Sequence, residues 1–166
     1  MRKPEEKARQ SGSVGFTRSV LTELAYNIKR SKAWLCFDVG VLVLCALLFL
    51  LNDRLLLPSV SSLVNENIAV YLLACHGNDL LGGCAFLAYT NILIDVIKPE
   101  VRFTRLKACL IFIFLCGLFW ELAAPLFVEG SVGDPLDLLA YLIGAFVYWA
   151  LAYRWKSASG TQQQSS

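Results

Sequence analysis

Six side chains could do chemistry in surroundings that are otherwise apolar. They are His76, Asn78 and Asp79 in "HGNDLLGG", Glu121 in "FWELAAPLF", and Asp137 and Tyr141 in "GDPLDLLAYLIGA". A histidine among carboxylates can hold a divalent metal, move protons or hydrogen-bond a polar ligand. Phosphate recognition would call for arginine or lysine, and none lies in these three stretches. There is no Ser-His-Asp spacing, no phosphate-cradling glycine loop and no metalloprotease motif. The six residues are therefore read as ligand-binding, with no catalytic residue, metal or cofactor assigned.

Acids in such company need a reason. Asp79, Asp134 and Asp137 fall near expected helix N-termini, where a carboxylate caps free N–H groups and meets the positive end of the dipole. Glu129 belongs to a surface loop. Glu121 has no such role, since it lies fifteen residues into an apolar run, about 22 Å along at 1.5 Å per residue. Pro125, four residues on, frees and kinks the backbone there, and Gly117 and Ala124 keep that face thin.

The elements that must position these groups are membrane helices. The chain has 166 residues, 57% apolar and 17% charged, with a mean hydropathy of +0.57, a balance unlike that of a soluble domain. A hydrocarbon core of about 30 Å takes roughly 20 helical residues to cross. The pattern predicts an all-α integral membrane helical bundle with four spans at about 34–51, 78–97, 106–128 and 135–153. Residues 1–32 form a tail with an amphipathic surface helix over about 14–30, on the spacing of Phe16, Val20, Leu21, Leu24 and Ile28. Residues 156–166 form a disordered polar tail. The first apolar run follows a long leader with no cleavage pattern, so the first span is expected to be retained.

The 52–77 stretch, broken by Pro58, the serines, Asn65, Glu66 and Asn67, is expected to dip partly into the outer face, with a short helix over 68–75. Of fifteen basic residues, eight precede Trp34, four lie between the second and third spans, two follow the fourth, and only Arg54 falls on the other side. That asymmetry predicts cytoplasmic termini in a plasma membrane. A formal charge of +2 gives no case for nucleic acid, and membrane lipids are the expected surroundings. The six cysteines lie in or beside apolar runs and read as small hydrophobes; Cys75 and Cys84, near the outer face, are the pair to watch for oxidation.

On this topology the six residues gather toward one face. In the last span Asp137, Tyr141, Gly144, Tyr148 and Ala152 share one stripe, and in the second His76, Asp79, Gly83, Phe86 and Thr90 share another. Asp38 and Asp95 sit near the inner ends and are expected to snorkel or pair with loop lysines.

A histidine opening one helix, a deep glutamate in the next, then a short turn leading to an acid and a glycine in the last resembles the VanZ-like membrane proteins. The likeness covers roughly residues 70–150 and runs through His76, Glu121, Asp137 and Gly144. The family's Gln, Arg and Asn positions are occupied here by Ala124, by no arginine between Glu121 and Asp137, and by Tyr141. The resemblance implies a small bacterial cell-envelope protein, some of whose relatives are linked to glycopeptide (teicoplanin) resistance. The residues themselves leave four readings open: a pocket for a lipid-linked or cell-wall component, a lipid-headgroup enzyme using Glu121 and His76 as acid and base, a proton or cation pathway continued by Asp38 and Asp95, and a purely structural role.

Overall fold

The computed structural model describes residues 18–59, 68–127 and 135–162. Of these, 95% are helical and none forms a strand. A first helix, α1, covers residues 18–30 and passes through a turn at Ser31 into α2, Lys32–Leu51. The later helices are α3, Ile68–Ile97, α4, Leu106–Phe127, and α5, Pro135–Gln162. Among the described residues, three stretches, Lys32–Leu56, Cys75–Ile97 and Pro135–Ser159, are long and apolar enough to cross a membrane.

Several boundaries differ from those expected, each for a physical reason. The second span begins three residues before its expected start, at Cys75, and the short helix expected over 68–75 is continuous with it, because α3 runs unbroken through Gly77 and Asn78. Glycine weakens a helix interior by about 1 kcal/mol, but here packing offsets the loss: a Cβ on Gly77 would stand 3.7 Å from the Asn52 amide. At its other end α3 stops as expected, with Lys98 driven to an extended φ of −154° by Pro99. α2 ends at Leu51 as expected, but the chain continues helically, widening into a π turn over Asn52–Leu56 and tightening over Leu57–Ser59. The last helix outruns its expected end at 153, and the tail from 156 is helical as far as Gln162. There the Ser157 and Ser159 hydroxyls bond back to the carbonyls of Tyr153 and Trp155 at 3.1 and 2.9 Å, spending their polarity within the helix. The expected disorder of residues 1–12 and the roles given to Glu129 and Asp134 lie outside the described residues.

α3 and α5 form the central pair, with α2 against α3 and α4 against α5. The central crossing depends on two glycines. A Cβ on Gly83 would come within 2.3 Å of the Tyr141 carbonyl oxygen, and one on Gly144 within 2.0 Å of the Leu80 carbonyl oxygen. Small residues that let backbones meet are how helices associate where apolar burial supplies little drive. The buried centre is correspondingly small, with Cys45, Cys84, Leu87, Ala88 and Ala145, while the large apolar side chains of α2, α4 and α5 point outward.

α1 is tied to the bundle by polar contacts. The Asn27 amide donates to the Val96 and Ile97 carbonyls at 3.2 and 3.1 Å, satisfying groups that the end of α3 leaves free. Val20, Leu21 and Ile28 are left exposed.

Candidate functional site

One end of the bundle assembles most of the expected residues. His76 Nδ1 lies 2.8 Å from Asp137 Oδ1, so α3 and the first turn of α5 are joined by a histidine–carboxylate contact. In the tautomer that carries the proton on Nδ1, the ring donates to Asp137 and leaves Nε2 as an acceptor. Asp79 lies one helical turn from His76, and one ligand atom from each of His76, Asp79 and Asp137 falls within 4.8 Å of the others. Tyr141 stands next to Asp79, and Glu121, half-buried, is close enough for its charge to act on that phenol. Asp79 is not a cap, since eleven residues of helix precede it; Asp137 does stand in the first turn of its helix.

Asn78 takes a different partner. Its Oδ1 accepts from Asn52 Nδ2 at 2.9 Å, fastening α3 to the end of α2. Asn52 is buried, and sequence reasoning missed it because "NDR" looks like the start of a loop. Sulfurs play no covalent part: all six cysteines are free, with Cys45 and Cys84 facing each other in the core.

Beside the polar cluster lies an apolar cleft of about 340 Å³. Gly82, Gly83, Phe86, Ile113, Gly117 and Trp120 line it, and Tyr141 belongs to its wall. One tyrosine therefore borders both the acids and the cleft. His76, Asp79 and Asp137 could also hold a divalent cation through nitrogen and oxygen ligands, although the His76–Asp137 contact serves two of the three without one.

The opposite end holds a network that the sequence reading anticipated only in part. Asp38 and Asp95, expected to snorkel or to pair with loop lysines, are 0% and 1% exposed and pair with a loop arginine instead. Their partner is Arg102, from the loop between α3 and α4. Arg102 Nη1 lies 2.8 Å from Asp38 Oδ2 and bonds to Asp95 Oδ2, while Nη2 donates to Asp38 Oδ1 at 3.1 Å and to the Tyr148 hydroxyl at 2.9 Å. Tyr148 in turn donates to Asp38 Oδ1 at 2.7 Å and accepts from Asn91 Nδ2 at 2.7 Å. Asn91 Oδ1 receives the Phe103 N–H at 2.9 Å, and the Trp34 ring covers the guanidinium at 4.2 Å. Burial opposes the charge on Arg102, but the Asp38 hydrogen bond and the nearby negative charges outweigh it and raise its pKa.

The stripes explain why one end was legible and the other was not. On α5, Gly144 and Tyr148 are buried and Asp137, Tyr141 and Ala152 partly so, as expected. On α3 the expected stripe holds only as far as Gly83; Phe86 is exposed, and the buried face passes instead through Cys84, Leu87, Ala88, Asn91 and Asp95. Asn91 and Asp95 at i, i+4 were the available signal, with Asp38 in the first half of α2 as the matching acid.

No protein-family model, curated protein or solved structure matches this chain.

Proposed function

We propose that the chain is a four-span plasma-membrane protein of VanZ-like kind, with cytoplasmic termini and an outward pocket that binds the headgroup and first chain segment of a lipid-linked envelope component. The observation that carries this reading is the meeting of His76, Asp79 and Asp137 with the apolar cleft at Tyr141. A polar head would engage the acids and the histidine while an apolar chain lies along Gly82, Phe86, Ile113 and Trp120. With three acids and one histidine around it, the pocket favours a hydroxyl-rich or cationic head over a bare phosphate.

The topology draws support from several features. α4 is a 22-residue apolar helix, which makes the fourth crossing. The apolar side chains of α1 left exposed suit a helix lying on the cytoplasmic surface. Arg30, Arg102 and Arg105 collect at the end that the basic residues assign to the cytoplasm. The link to glycopeptide resistance rests on the resemblance through His76, Glu121, Asp137 and Gly144. A through-going ion path is disfavoured, because Cys84, Leu87, Ala88 and Ala145 separate the two polar ends along α3 and α5.

The test is to purify the protein from bacterial membranes and identify the lipids it retains. The wild type should hold one headgroup class out of proportion to the bulk. Asp137→Asn and Gly82→Leu should each reduce that class at least tenfold, the first by weakening the head contact and the second by filling the cleft. A Cβ on Gly82 meets only Tyr141 Cε1 at 3.9 Å, so that variant is compatible with the fold. Retained lipids that mirror the bulk in all three proteins would sink the reading.

A further inference from the structure

The buried charges around Arg102 do not balance. Asp38 and Asp95 are shut away from solvent, and Arg102 supplies the positive charge that contacts both. Two ionised carboxylates against one guanidinium would leave a net negative charge in apolar surroundings, an arrangement that is costly without a further partner.

A second observation locates the deficit. Asp38 Oδ1 accepts from Tyr148 and from Arg102 Nη2, but Asp38 Oδ2 is buried with no hydrogen-bond donor. It lies 2.8 Å from Arg102 Nη1, in charge contact but outside hydrogen-bond geometry, and the same Nη1 bonds to Asp95 Oδ2. An oxygen that needs a donor and a second acid therefore flank one nitrogen. A carboxylic O–H would supply the missing donor and remove the excess charge in one step.

We propose that Asp38 and Asp95 form a proton-binding site that holds one exchangeable proton at neutral pH, independently of the pocket at the other end. The proton adds to a carboxylate oxygen from water and returns to water; no other bond changes. Every element packed on the site contributes a group: Asp38 and Trp34 from α2, Asn91 and Asp95 from α3, Arg102 from the loop, Cys109 from α4 and Tyr148 from α5. The guanidinium repels a metal cation from the same position, which favours a proton. A cleft of about 580 Å³, bordered by Trp34, Arg102, Arg105 and Lys156, reaches the edge of Arg102, whose side chain is 6% exposed, and is the side from which a proton would enter. The apolar core closes the opposite direction.

Infrared spectroscopy of the purified full-length chain in detergent at neutral pH tests this. The wild type should show a protonated-carboxyl C=O band that shifts in heavy water. The band should be lost in Asp95→Asn and in Asp38→Asn and kept in Asp137→Asn. Difference spectra showing only ionised-carboxylate bands would overturn the proposal, as would a band that collapses when sodium replaces choline, since that would assign the site to a metal cation. If neither variant folds, the alkaline-minus-neutral spectrum of the unaltered protein reads the same group, and absence of a carboxylic band there overturns the proposal equally.

Discussion

Arg102 contacts two acids, a phenol and an indole, so its removal leaves more than one group unserved. Arg102→Gln should destabilise the bundle by about 3–5 kcal/mol, the cost of stranding buried partners of an ion pair, seen as a lowered unfolding midpoint in detergent. Tyr148→Phe removes one donor to Asp38 and should cost about 1–3 kcal/mol. Surface charge should behave differently. Arg30 and Glu100 pair at 2.6 Å with both side chains more than half exposed, and the Glu100 carboxyl is held below its usual range, first by its own backbone N–H and then by Arg30. A depressed carboxyl stabilises the fold above its unfolded pKa and loses that contribution as pH falls. Glu100→Gln should thus lower the midpoint only slightly at neutral pH and not at all once the carboxyl is protonated, so that the two midpoints converge on acidification, because exposed pairs contribute little.

Among the helices, the crossing of α3 and α5 places both polar ends. Gly144→Ala puts a methyl onto the Leu80 carbonyl, whose oxygen would stand 2.0 Å away, and backbone cannot yield as a side chain does. The variant should lose about 1–3 kcal/mol or more and weaken the His76–Asp137 contact, measurable as a lowered midpoint together with reduced lipid retention. Helix identity was legible because apolar runs and Pro99 and Pro135 mark it plainly. The α5 stripe was legible too, since Asp137, Tyr141, Gly144 and Tyr148 keep one face throughout. The start of α3 was not, because Gly77 and Asn78 resemble a turn until Asn52 is seen packing on them. Nor was the Arg102 network, whose members come from four separate segments and meet only after the helices pack.

At the scale of the molecule, two polar ends are separated by a thin apolar core and wrapped in outward-facing leucines, phenylalanines and isoleucines. Composition foretold the wrapping, since a chain so apolar has nowhere else to put those side chains. Helical spacing and topology placed His76, Asp79 and Asp137 at a common end, though not the cleft beside them, which Gly82, Gly83, Gly117 and Tyr141 line. If one amphipathic molecule spans head site and cleft, the two halves must be energetically coupled. Native mass spectrometry of the lipid-bound fraction in the wild type, Asp137→Asn, Gly82→Leu and the double variant measures that coupling directly. The account predicts that each single change releases the same lipid and that the double variant is no worse than the more severe single one. Independent, additive losses, or a lipid that remains bound when Asp137 is neutralised, would contradict it.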